Sequence, residues 1–277
     1  MGSYSYNLRR YLTFSKEEWL ALLITAVAGG FMVSFNDWGG KAFDIFSATW
    51  GEPFVLSTGI VNFVFGFVLV FLVLAFQVLV SKMVGVRYGV DVTYDKYLLG
   101  LLVGFFVTFL SFGYLPFFIT GRFRFRAIPN LRVGKFRANM AKNWEIGLSM
   151  LAGPLALILT TIPINFLMYL SGMMVLRQLL IVMVLLAVYA MLPLPLIETA
   201  NLYTVYMSRL ESLEGGLPGY DIYWWSKFWY FFSVGLITFF AIFTFLFQPS
   251  VLVFTLSTIL GIGVVFLVRK SPILYGD

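Results

Sequence analysis

Neither cysteine nor histidine occurs anywhere in the 277 residues. The first absence excludes disulfides and thiolate metal sites. The second removes the commonest protein metal ligand and the only side chain whose unperturbed pKa lies near neutrality. A Ser-His-Asp triad goes with it. Charge is scarce as well: 12% of residues are Asp, Glu, Lys or Arg, against 60% apolar residues and a mean hydropathy of +0.91. Such a chain cannot clothe itself in a polar exterior, so lipid is expected to be its main solvent. The net charge of +6 could speak for nucleic acid. In a lipid-embedded chain, however, basic residues gather on the cytoplasmic face, and no nucleic-acid partner is expected. No phosphate-cradling glycine loop is present, and no cofactor is expected.

What the chain does have is a series of apolar stretches, at 19–35, 58–80, 98–119, 146–170, 173–197, 228–247 and 251–268. Most approach the roughly 20 helical residues that a hydrocarbon core requires. If all seven cross, the basic residues divide 7 to 12, a weak bias. If 98–119 dips in and returns, 17 of the 19 share the side of the N terminus, leaving Lys41 and Arg177 opposite. The positive-inside rule favours the second arrangement. It predicts an all-α integral membrane protein, one polytopic domain over 1–277 with six spans, set in the cell membrane with both termini cytoplasmic. Its re-entrant segment must be buried in protein or face a cavity. Gly100, Gly104, Gly113 and Pro116 suit such a broken element, with a tilted seventh span as the alternative.

Residues 121–142 alternate Arg with Phe in their first half. Period-two alternation predicts a small basic β-hairpin, turning at Pro129-Asn130 and returning over 131–137. Arg122, Arg124 and Arg126 then share one face. Either the strand edge receives an extended peptide from a partner, or the basic face lies on anionic headgroups.

Three further stretches bear on function. "FQVLVSKMVGVRYG" ends the second apolar run with Gln77 and Ser81 one helical turn apart. "LAGPLALILTTIPI" packs small residues into a later run, and "AMLPLPLIETANLY" breaks the next with Pro193 and Pro195. Together they resemble the site-2 protease family of membrane-embedded zinc metalloproteases, most closely its archaeal branch. The resemblance runs from about Ser15 through Glu198. Lys82, Arg87, Tyr88 and Gly89 stand at the offsets that follow the family's His-Glu-x-x-His helix. Ala152, Gly153, Pro154 and Leu155 match its Ala-Gly-Pro-Leu, and Leu192, Pro193 and Pro195 match the proline motif that leads to a ligating Asp. The family's six-helix core also agrees with the charge count.

The departures from that pattern fall on the zinc site. Under the resemblance Gln77 and Ser81 occupy the two histidine places, Val78 the place of the catalytic glutamate, and Glu198 that of the ligating aspartate. A neutral amide and a hydroxyl are poor Zn2+ donors, and an alkyl side chain cannot activate water. Leu157 and Ala190 stand where the family carries Asn. "LPGYDIYWWSKFWY" offers a second alignment, with Asp221 near the aspartate position. No catalytic residue and no metal ligand is therefore assigned.

The reading this leaves is a non-catalytic site-2-protease-like membrane protein, a pseudoprotease that binds, scaffolds or regulates a membrane partner. Gln77, Ser81 and Glu198 are candidate contacts in a former cleft, and Arg122, Arg124 and Arg126 candidate contacts on the strand. For Gln77 and Ser81 the plainer role is an interhelical hydrogen bond. A transporter or channel is the alternative, resting on the broken segments and Glu198. An intramembrane protease with an unusual site stands below both.

Overall fold

The computed structural model describes residues 4–45, 53–117, 119–131, 141–194, 213–214, 217–246, 259 and 263. The chain is mostly helical, with one small antiparallel sheet. A short helix, α1 (Tyr4–Tyr11), precedes α2 (Lys16–Val33). Helix α2 starts where it does because Ser15 and Glu18 form a capping box: Ser15 Oγ accepts the Glu18 N–H at 3.1 Å, and Glu18 Oε2 accepts the Ser15 N–H at 2.8 Å. The long α3 (Leu56–Tyr88) ends at Gly89, whose φ of 77° lies in the left-handed region that glycine enters without strain. Strand β1 (Val90–Asp95) follows at once, then α4 (Leu98–Leu110), β2 (Arg122–Ala127), α5 (Asn143–Ser171) and α6 (Met174–Ala190). Strand β3 (Leu213–Glu214) and helices α7 (Pro218–Trp225) and α8 (Lys227–Leu246) complete the described chain.

Helices α2, α3, α5 and α6 pack in chain order, α7 lies against α5, and α8 against α6 and α7. Glycine sets the closest crossing of α2 and α3: a Cβ on Gly30 would stand 2.6 Å from the Phe67 Cα. Among the described residues, α3 and α5 are long and apolar enough to cross a membrane. Helices α4 and α6 and the stretch Lys227–Ile242 are apolar but shorter. The stretch expected at 173–197 is helical only to Ala190, and Pro193, which disfavours helical backbone in the residue before it, follows shortly after. The stretch at 251–268 lies outside the described residues except for 259 and 263.

The strand predicted at Arg122–Arg126 exists, and among the described residues its partners are strands β1 and β3. Strand β2 pairs with β1 over its whole length, from Val90↔Ala127 to Asp95↔Arg122, and with β3 at Arg124 and Phe125. Of the second arm expected at 131–137, Leu131 sits in a 3-10 turn begun by Pro129, and 132–137 fall outside the described residues. Strand β1 makes the better partner because its pattern complements that of β2. Val90, Val92 and Tyr94 turn inward with Phe123 and Phe125, while Asp91 and Asp95 face outward opposite Arg126 and Arg122.

The pairing also settles where 96–121 begins and ends. Asp95 and Arg122 are cross-strand partners, so the segment leaves and rejoins the sheet at one point. Helix α4 runs beside α2, with Phe105 against Phe31 and Phe109 against Phe35. It turns at Phe112 and Gly113, and the chain comes back past Pro116, whose carbonyl accepts the Tyr189 hydroxyl at 2.6 Å. At the end of the return, Gly121 donates its N–H to the Tyr94 hydroxyl at 2.8 Å.

Candidate functional site

Gln77, Val78 and Ser81 are all buried in the middle of the bundle, at 1%, 0% and 1% exposure. Helical spacing puts Gln77 and Ser81 on one face of α3, and that face meets α5 at Gly153. A Cβ on Gly153 would lie 2.6 Å from Ser81 Oγ, 2.9 Å from Gln77 Cγ and 3.0 Å from the Gln77 carbonyl oxygen. Two of the three short motifs are thus brought into contact, and only glycine allows the approach. Helix α5 covers Gln77 and Ser81, so a partner could touch them only if α3 and α5 parted.

The seam is incompletely satisfied. Gln77 Oε1 is buried with no hydrogen-bond partner among the described residues, a condition that costs about 1–3 kcal/mol. Leu157 and Ala190, at the positions where the resemblance expects Asn, are both fully buried. The donor set does not suit zinc. It comprises one amide and one hydroxyl, with Val78 supplying nothing. Among the described residues, no three carboxylates gather into a group able to hold a metal ion. Glu198 and Pro195 lie outside the described residues. The alternative, Asp221, sits in the first turn of α7, which packs against α5 and α8.

The strongest polar constellation in the described chain was not singled out from the sequence. Lys82 and Glu18, exposed by 1% and 3%, form an ion pair at 2.6 Å. Lys82 Nζ also donates to the Thr13 carbonyl at 2.7 Å and stands 4.6 Å from the Phe14 ring centroid. Glu18 Oε1 accepts the Tyr94 N–H at 3.0 Å. One charge pair therefore joins α2, α3, β1 and the α1–α2 connection. Burial raises the Asp91 carboxyl above its ordinary range, with Lys82 and Arg126 pulling it down and Glu18 pushing it up. Burial likewise pushes the Tyr94 phenol up to about 12, against hydrogen bonds with Thr25 and Gly121. The sequence signals were the Ser15-x-x-Glu18 capping box and a lysine directly after an apolar run.

The arginines of β2 are largely neutralised within the sheet. Asp95 Oδ2 accepts Arg122 at 3.0 Å and Arg124 at 2.8 Å, and Asp91 faces Arg126 in the ladder. The strand edge proposed for a partner peptide is also taken, by β1 along its length and by β3 at Arg124 and Phe125. A family-model scan and searches of curated proteins and of solved structures return no match for this chain.

Proposed function

We propose that the chain is a non-catalytic, site-2-protease-like membrane protein that serves as a structural or regulatory subunit for another membrane protein. The observation that carries this reading is the seam at Gly153. There the helix bearing Gln77, Val78 and Ser81 meets the Ala152–Leu155 stretch of α5, so two of the three motifs that prompted the resemblance adjoin in space. Among the described residues the seam brings together no carboxylate and no general base, which supports packing as its role.

Lipid embedding accounts for the surface. Ile60, Val61, Val64, Val68 and Leu72 line an exposed face of α3, and Leu98, Leu102, Phe106 and Phe109 an exposed face of α4. In water these would be a large unpartnered patch. Every described basic residue except Lys41 and Arg177 lies at the end of the bundle that carries the sheet, which supports a cytoplasmic sheet. The shared start and end of 96–121 supports a re-entrant α4, and six spans follow if 251–268 crosses.

Two measurements on chain purified from its native membrane test the proposal. Metal analysis is expected to give far less than one equivalent of zinc, and reconstituted protein is expected to leave transmembrane peptides uncut. Stoichiometric zinc, or cleavage abolished by Gln77→Ala, overturns it. Cross-linking in the native membrane is expected to join the chain to one defined membrane protein; a chain that cross-links only to itself removes the subunit role.

A further inference from the structure

A second basic surface lies on α1. Its helical spacing divides the eight residues into two faces. Tyr4, Leu8 and Tyr11 fall on one and turn toward the body: Leu8 and Tyr11 are half-buried, and the Tyr4 hydroxyl donates to the Met83 carbonyl at 2.9 Å. Tyr6, Arg9 and Arg10 fall on the other and are exposed, Tyr6 by 57%. The helix contains no acidic residue. Arg9 and Arg10 make no ion pair among the described residues, in contrast to Arg122 and Arg124 with Asp95.

The orientation of α1 follows from its anchors. Tyr4 reaches Met83 at one end, and Thr13, just past the other end, holds Lys82. Lys82 and Met83 are adjacent on α3, so α1 crosses α3 at a single height instead of running along it. That height is also that of the α2 N terminus, since Lys82 pairs with Glu18. The exposed Lys16 and Trp19 lie next to it, and Trp and Tyr beside Lys and Arg mark a membrane–water boundary. A short helix lying in that plane, with two unneutralised guanidinium groups flanking an exposed phenol, matches the chemistry of a phosphate headgroup: charge-assisted hydrogen bonds from Arg and an amphipathic ring at the same depth.

From these relations we infer that the Tyr6, Arg9 and Arg10 face of α1 binds anionic phospholipid headgroups of the leaflet on the sheet side. The inference rests on the membrane reading above and extends it, moving lipid recognition from the arginines of β2 to α1. Strand β2 carries more arginines, but its own aspartates answer them.

The test uses the full chain in nanodiscs of mixed phosphatidylcholine and phosphatidylglycerol, with native mass spectrometry of the lipids that stay bound on release. The wild-type chain is expected to retain phosphatidylglycerol over phosphatidylcholine. The double variant Arg9→Gln/Arg10→Gln is expected to lose that preference by about tenfold or more, each basic residue contributing roughly a fivefold factor near an anionic surface. Arg124→Gln/Arg126→Gln is expected to keep it. Unchanged preference in the α1 variant, or an equal loss in the β2 variant, overturns the assignment. Failure of the wild-type chain to enter nanodiscs would sink the membrane reading itself, whereas entry without lipid preference sinks only the role of α1. Arg9, Arg10, Arg124 and Arg126 are all exposed, and equal melting temperatures confirm that each variant is folded.

Discussion

Lys82 Nζ lies 2.6 Å from Glu18 Oε1 with both side chains almost fully buried. Two charges have been taken out of water to make this contact, so removing either leaves the other stranded. Lys82→Met or Glu18→Leu alone is expected to destabilise the fold by about 3–5 kcal/mol. The pair Lys82→Met/Glu18→Leu is expected to lose less than the two singles added, because neither charge is then stranded, although the Tyr94 and Ser15 N–H groups lose their acceptor. Thermal unfolding in detergent, run as a double-mutant cycle, reads both effects. Additive losses would show that the two residues act independently.

At the α3–α5 seam the direction of each change differs. Gly153→Ala places a methyl 2.6 Å from Ser81 Oγ and 3.0 Å from the Gln77 carbonyl oxygen, and is expected to cost about 1–3 kcal/mol by overpacking. Ser81→Gly in the same chain removes the nearest obstacle and is expected to return part of that loss. Gln77→Met removes the unpartnered Oε1 at nearly constant volume, and is expected to be neutral or to stabilise by up to about 1 kcal/mol. A marked loss of stability from Gln77→Met would mean that the amide is satisfied by a water or by a residue beyond the described ones.

Asp91 gives the stability a pH dependence of definite sign. Burial raises its folded pKa above the ordinary 3.8, despite Lys82 and Arg126, with Glu18 adding to the rise. The folded state therefore holds this proton more tightly than the unfolded chain does. Its contribution to stability is complete below the ordinary value and is lost as pH rises through the raised one. Asp91→Asn is expected to flatten that part of the profile and to leave the chain relatively more stable at neutral pH. Melting temperatures of both proteins across the acid-to-neutral range measure it; parallel profiles would remove Asp91 as the source.

Apolar run length located most of the helices, since 58–80 and 146–170 sit inside α3 and α5. Polar ends were less legible. Helix α3 continues to Tyr88 because Lys82 finds a buried carboxylate 64 residues earlier in the chain, and no local pattern announces a partner that remote. The sheet shows a different failure. "VDVTYD" alternates as cleanly as the arginine strand, but it directly follows a long helix, and the extended segment nearest to β2 in sequence lies downstream. The true mate lies upstream across the whole of α4, where the acid-to-base match with Asp91 and Asp95 decides the pairing. The contact of Gly153 with Gln77 and Ser81 was not legible, because spacing alone does not say which residue a glycine will face.

The register Asp95↔Arg122 makes the topology of 96–121 open to direct measurement. The native chain has no cysteine, so a single introduced thiol reports its own side of the membrane. A re-entrant α4 returns to the sheet, which puts Lys96→Cys and Arg126→Cys on the same side, whereas a seventh span would separate them. In sealed vesicles of one orientation, both are expected to react with an impermeant maleimide from the same face. Lys41→Cys, at the far end of the bundle, is expected to react only from the other. Loosening the neck should not change sides: Asp95→Asn removes the carboxylate shared by Arg122 and Arg124, both partly exposed, and is expected to cost no more than about 1 kcal/mol. Labelling of Lys96→Cys and Arg126→Cys from opposite faces would contradict the paired strands, since cross-strand neighbours cannot lie on two sides of a bilayer.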